Sequence, residues 1–316
     1  MTKSTSEYAS FIFFSFDQTT IESFASKPPT ISAFQSFETF LLLTALGRHP
    51  QALVTLCSAI ESASAASTGR KVNDTSERGF ASAWSVLNEV IPRDFPLPVT
   101  PTRKDLREKR NAVTHFGFSN KDDSECVLYS LGLGVPLFAG WTIGQFEISL
   151  YNSCGSFGRL LEVAVRTVLD RKNNRISALD ACSILRRGIK FHLRELFMAD
   201  WEVEVLDIDR STFGTSSTPG IEVREQQLKN LQHIEPHALI ECPVCHEFNS
   251  MFIALDENVL LNDKNLSPTI GQCTHCDVSF PPNLSPILRE LCAPYLTEEL
   301  TEIICRDYGI NRGGTD

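Results

Sequence analysis

The sequence predicts a mainly α protein: a helical bundle followed by a small four-cysteine ribbon with closing helices. Three observations carry this. Apolar residues recur three and four apart through residues 36–200; strand signal is sparse over the same range; and residues 242–276 hold two C-x-x-C pairs. The length, 316 residues, suggests about two domains at roughly 150 residues each. The expected organisation is an N-terminal segment without a clear pattern (1–35), a helical domain (36–200), a linker region (201–237), and a ribbon with C-terminal helices (238–316).

In chain order, residues 1–35 are rich in Ser, Thr and Phe and end at a Pro28-Pro29 break. From there Phe37, Phe40, Leu41 and Thr44 share a helical face. Gly47-Arg48-His49-Pro50 ends that helix and starts another, residues 51–66, with Leu53, Leu56, Cys57, Ile60 and Ser64 on one stripe. A polar stretch covers 67–78. The helix at 80–91 turns Ala83, Trp84, Leu87 and Val90-Ile91 inward, and four prolines between Pro92 and Pro101 enforce an extended connection. A charged helix, 102–116, begins at Thr102, a residue suited to an N-cap. Further helices are expected at 124–133, 156–172 and 177–198. Residues 209–221, rich in Ser, Thr, Gly and Pro, read as a linker, followed by a short polar helix at 222–231. Strand-like segments at 247–255 and 258–261 would form the ribbon hairpin, and 284–307 reads as one or two closing helices.

Charge divides unevenly along this layout. The chain carries a net −10, but residues 1–198 hold 22 basic and 19 acidic side chains, a net of +3. Residues 199–316 hold 7 basic and 20 acidic, a net of −13. The total excludes a protein that coats nucleic acid through bulk positive charge, and the division makes the first unit the better place for a polyanion. No stretch reaches the ~18 uninterrupted apolar residues of a membrane span, and Glu7 and Asp17 make the N-terminus a poor secretory signal. No membrane partner is expected, and cytoplasmic residence is the default. Ten cysteines are too dilute for a disulfide framework. Cys57, Cys126, Cys154, Cys182, Cys292 and Cys305 are isolated and read as small buried hydrophobes.

The remaining four are paired: Cys242-Pro243-Val244-Cys245 and Cys273-Thr274-His275-Cys276. Each pair puts two thiolates on one tight turn, and two such turns close a tetrahedral shell around a zinc ion, one per chain. Four thiolates leave no open position, so the site is expected to be structural. A redox C-x-x-C is the weaker reading, because neither pair ends a strand in a βαβ pattern. His246 and His275 could substitute as ligands or be solvated turn residues.

The charged helix, Arg103 to Phe116, is locally positive in an acidic chain. Leu106, Lys109-Arg110, Val113 and Phe116 follow helical spacing, and Asn111 and His115 lie one turn apart. An imidazole with a pKa near ~6.5 can move a proton to or from an RNA oxygen. A guanidinium offers a planar fork to phosphate oxygens as charge develops. An amide such as Asn111 can orient either group. The alternative for such a histidine is a helix cap or a solvated side chain. A second basic strip, Arg186-Arg187, Lys190 and Arg194, is either an RNA guide or a solvated face.

R-N-x-x-x-H at the end of a charged helix, closed by Phe-Gly-Phe, resembles the signature of the HEPN superfamily, whose usual form is arginine, a polar residue, three variable residues and histidine. The preceding helix with Pro50-Gln51-Ala52-Leu53 and Ala59-Ile60-Glu61 is similar to the family's earlier bundle helix, which often carries an acidic residue. The resemblance covers about residues 36–200 and implies an HEPN-like bundle that homodimerises with two motifs facing one cleft. It further implies a metal-independent endoribonuclease, often a toxin or antiviral effector. Arg110 would stabilise the phosphorane, His115 act as general base or acid, and Asn111 position them, leaving a 2′,3′-cyclic phosphate and a 5′-hydroxyl. Glu61 would buttress the site or be structural. The long extension and the ribbon depart from the compact members, and the acidic ribbon region is read as a contact for a protein partner or regulator. The competing expectation is a non-catalytic scaffold for dimerisation or nucleotide binding.

Overall fold

Most of the chain folds as helices, with one small antiparallel sheet near its C-terminal end. A computed structural model describes residues 11–25, 28–68, 79–98, 103–116, 123–170, 176–200, 236–256, 266–276 and 278–310. The expected linker (209–221), polar helix (222–231) and strand (258–261) lie outside the described residues. Contacts divide the chain into two compact units, residues 1–186 and 187–316. The division falls inside one long helix, earlier than the expected boundary at residue 200.

The described part of the first unit opens with a strap, residues 11–16, and a short helix α1 (Gln18–Ala25) capped by Asp17, whose carboxylate accepts from the Thr20 amide at 2.7 Å. Helix α2 (Pro28–Ala45) starts eight residues before the helical domain expected from residue 36. Pro28-Pro29 sits in the first turn, where a missing N–H removes no helical hydrogen bond. Helix α3 (His49–Thr68) follows the turn at Gly47, whose φ of +71° ends α2. Arg186 packs against Gly47 and donates through Nε to the Ala45 carbonyl at 3.4 Å, satisfying a carbonyl at the end of α2.

Helix α3 is the centre of the unit. It packs against α2, α4 (Gly79–Val90), α5 (Arg103–Phe116), α6 (Asp123–Tyr129) and α7 (Val135–Phe146). Its small residues Ala52, Ala59, Ala63, Ala65 and Ala66 are all buried, which lets neighbours approach on every side.

Between α6 and α7, residues Ser130–Gly134 form a π-helical turn, with the Val135 amide bonded to the Ser130 carbonyl. Here Gly134 meets Leu56 of α3 so closely that a Cβ would lie 2.5 Å from Leu56 Cδ2. The expected helix at 124–133 therefore runs on to residue 146. Its apolar residues are buried nearly all round, so no polar face marked the continuation. The span Asp123–Phe146 is long and apolar enough to cross a membrane, but 83% of its most apolar window is buried inside the fold.

A short helix α8 (Leu150–Ser153), α9 (Gly158–Leu169) and α10 (Ala178–Asp200) complete the helical run. Ser177 caps α10, accepting from the Asp180 amide at 3.1 Å.

The strap is held by aromatic packing and one carboxylate. Phe34 of α2 lies 4.9–5.9 Å, centroid to centroid, from the rings of Phe11, Phe14, Phe16, Phe24, Phe138 and Trp141. Beneath them buried Glu38 accepts the Phe13 amide at 2.7 Å. Burial pushes the Glu38 carboxyl above its usual range, although the Phe13 and Ile12 amides pull the other way.

In the second unit, β1 (His237–Ile240), β2 (Met251–Leu255), β3 (Pro268–Cys273) and β4 (Ser279–Phe280) form an antiparallel meander in the order β1-β2-β3-β4. The central strand β2 is buried throughout, whereas the expected strand began at residue 247. Helix α11 (Ser285–Cys292) packs on β3, and α12 (Glu298–Asp307) begins at Thr297, whose side chain accepts from the Leu300 amide.

Glu38 supplies a test of the strap. Glu38→Ala removes the acceptor for a buried amide and is expected to cost about 1–3 kcal/mol in denaturant unfolding. Glu38→Gln keeps an acceptor and is expected to match or exceed wild type at neutral pH. Because the folded-state pKa is raised, the stability linked to protonation is complete below the unfolded pKa and lost as pH rises through the folded one. Thermal midpoints of the Gln variant should vary less over that range than those of wild type.

Candidate functional site

Two clusters hold the chemistry-bearing side chains, one in each unit. In the first, α5 presents Leu106 and Val113 to the core and leaves Arg110 and Asn111 half-buried. The α3–α5 packing sets Arg110 beside Glu61, with Nη2 3.7 Å from Oε1, an ion pair longer than a hydrogen bond. Arg110 Nη1 donates to Asn111 Oδ1 at 3.2 Å. The remaining donor, Nε, is buried with no hydrogen-bond partner among the described residues. Burial raises the Glu61 carboxyl above its usual range and outweighs the opposing pull of Arg110. One turn before Glu61, burial likewise pushes up the thiol of fully enclosed Cys57, which the Glu61 charge reinforces.

The guanidinium is thus held on two sides by side chains from two helices. Lys109, its neighbour in sequence, instead pairs with Glu125 of α6 at 2.6 Å. His115 lies on α5, one turn beyond Asn111, but its side chain lies outside the described residues. The structure therefore brings Glu61, Arg110 and Asn111 together and fixes only the backbone position of His115. The second basic strip is divided: Arg187 and Arg194 are exposed, whereas the other two are not. Arg186 is engaged at the end of α2, and Lys190 is buried.

The second cluster follows from strand register. Ile240 pairs with Met251 and Met251 with Cys273, so the C-x-x-C after β1 and the one ending β3 meet at the same end of the sheet. The four sulfurs of Cys242, Cys245, Cys273 and Cys276 lie within 4.8 Å of one another. The Cys242–Cys276 and Cys245–Cys273 separations are 3.8 and 3.7 Å. Sulfurs placed ~2.3 Å from a central ion stand about 3.8 Å apart along a tetrahedral edge. The donor set therefore fits a four-coordinate metal and leaves no open position.

Surrounding groups hold the sulfurs in place. The Val244 amide donates to Cys242 Sγ at 3.4 Å; the His275 and Cys276 amides donate to Cys273 Sγ, both at 3.3 Å. Ser250 Oγ also lies 3.3 Å from Cys273 Sγ, a contact sequence reasoning missed because nothing in a spacing pattern marks a serine twenty-three residues away. Burial pushes the Cys242 thiol up, whereas hydrogen bonds from the neighbouring thiols pull the Cys273 thiol down. His246 and His275 lie outside the four-sulfur set. His246 instead pairs with Glu241 at 3.3 Å, and Tyr295 donates to the same Glu241 oxygen.

No family model matches the chain, and neither a curated protein nor a solved structure is significantly similar to it.

The four-sulfur cluster sets a direct expectation. Elemental analysis of the full chain should find one tightly held metal ion per chain. Cys273→Ser, which replaces a thiolate ligand and the sulfur acceptor of the His275 and Cys276 amides with a hydroxyl, should lose that ion and speed amide exchange across residues 236–310. Retention of full metal content with unchanged exchange would overturn the assignment.

Proposed function

We propose that the chain is a metal-independent endoribonuclease of the HEPN kind, carrying one structural zinc in its ribbon. The observation that supports it best is the grouping of Glu61, Arg110 and Asn111 on packed helices, with His115 one turn further along α5. This is the set that the R-N-x-x-x-H resemblance names.

In this reading His115 takes the proton from an RNA 2′-hydroxyl. The 2′-oxygen bonds to phosphorus as the bond to the 5′-oxygen breaks, and a proton returns to that leaving oxygen. Arg110 opposes the charge that builds on the non-bridging oxygens. Asn111 and Glu61 restrict the guanidinium to that task. The products are a 2′,3′-cyclic phosphate and a 5′-hydroxyl. Two copies of the helical unit would line one cleft as a homodimer, in the cytoplasm, with a toxin or antiviral role resting on family analogy alone. Zinc is the assignment for the four-thiolate shell because it favours tetrahedral sulfur ligation and structural sites.

The Glu61–Arg110 ion pair itself favours a second reading, a non-catalytic scaffold in which the pair joins α3 to α5. One experiment separates the two. Wild-type protein, with EDTA added at the start of the assay, is expected to cleave single-stranded or structured RNA. Arg110→Ala and His115→Ala are expected to lose about 10²-fold or more of that activity while keeping wild-type circular dichroism. Equal cleavage by wild type and both variants, or none by any, assigns the scaffold reading instead.

A further inference from the structure

The turn between Cys245 and β2 holds a phenyl ring in water. Phe248 is 74% exposed, the most exposed large apolar side chain among the described residues. Its neighbours leave it little freedom to turn inward. The Glu247 carbonyl accepts from the Cys242 amide at 3.1 Å and from Ser250 Oγ at 2.9 Å, and the Ser250 carbonyl accepts from the Thr274 amide at 2.8 Å. The backbone on both sides of Phe248 is thus tied to the two cysteine turns. His246 and Asn249 bracket it at φ +57° and +51°, the left-handed region that histidine and asparagine enter more readily than most non-glycine residues. A pinned turn that displays an aromatic ring resembles a prepared anchor, since docking on it orders almost nothing new.

Charge selects what docks there. Across the described residues 236–310 the chain has eight carboxylates against two guanidiniums, Arg289 and Arg306. Glu247, next to Phe248, is exposed. That net charge disfavours a polyanion and attracts a cationic chain. Arginine suits both features together: its planar guanidinium stacks on an aromatic face and forks to a carboxylate.

We propose that the Phe248 turn is a docking point for an arginine-bearing basic segment of a partner protein, with one guanidinium stacked on Phe248 and charge supplied by Glu247. The proposal gives the ribbon a partner of stated chemistry and does not depend on RNA cleavage.

The test uses full-length, metal-loaded protein and a fluorescent Arg/Gly/Ser peptide, read by anisotropy. Saturable binding is expected, weakened about tenfold by Phe248→Ala and restored by Phe248→Trp. Glu247→Gln should weaken binding and flatten its salt dependence. A Lys/Gly/Ser peptide of equal charge should bind less tightly, because ammonium lacks the stacking plane. His115→Ala protein should bind as wild type does, which separates failure of this proposal from failure of the cleavage reading. Peptide binding indifferent to Phe248→Ala, no saturable binding, or tighter Phe248-dependent binding of oligouridine would each overturn it. Metal content of every variant, measured alongside, confirms that the turn is intact.

Discussion

The helical unit depends on the enclosure of α3. Small side chains let five other helices close around this one, and that arrangement determines what each of its polar positions can do. Ser67 near its C-terminal end takes the Trp141 indole N–H at 3.0 Å. Glu61 lies where α5 passes, so its carboxylate needs a cation from that helix, and Arg110 supplies one. The enclosure also explains why Glu61 and Cys57 are both shifted by burial first and by charge second. A carboxylate in this position is costly without its partner. The same geometry that stabilises the packing therefore aims the guanidinium.

The two clusters reach order by different routes. Around Arg110, position comes from helix packing and a network of three side chains. Around the cysteines, position comes from strand register, which brings two turns from distant parts of the sequence to one end of the meander. Among the described residues, few elements cover the buried central strand of the second unit, and small folds of this kind depend on a metal for much of their stability. The donor set, four sulfurs on two turns, needs no catalytic interpretation.

Local spacing made some of this legible. The cysteine pairs, the Leu106–Val113 face of α5 and the buried stripe of α3 all follow from periodicity or ligand spacing, and each appears where its pattern places it. What escaped depended on distant partners. Pro28-Pro29 reads as a break because proline lacks an amide, yet the first turn of a helix does not use that amide. Glu38 looks like any helix-surface acid until the strap folds back to give it the Phe13 amide. Strand β1 is four residues long and gains its identity only from pairing with β2. Ser250 and the exposure of Phe248 are set by a turn that the cysteine spacing closes but does not describe.

The π-helical turn at Ser130–Gly134 has a consequence for how this sequence tolerates change. That turn takes up one extra residue, so everything after it is set back by about 100° relative to an uninterrupted α-helix of the same length. Phe138 and Trp141 face Phe34 because of that lag. Tightening the turn to ordinary pitch at unchanged length would rotate both rings away from the aromatic cluster, although no side chain in the cluster had been altered. Deleting one residue along with the tightening would leave them facing it, so this turn absorbs a change of length that an α-helical turn would pass on to the rest of the helix.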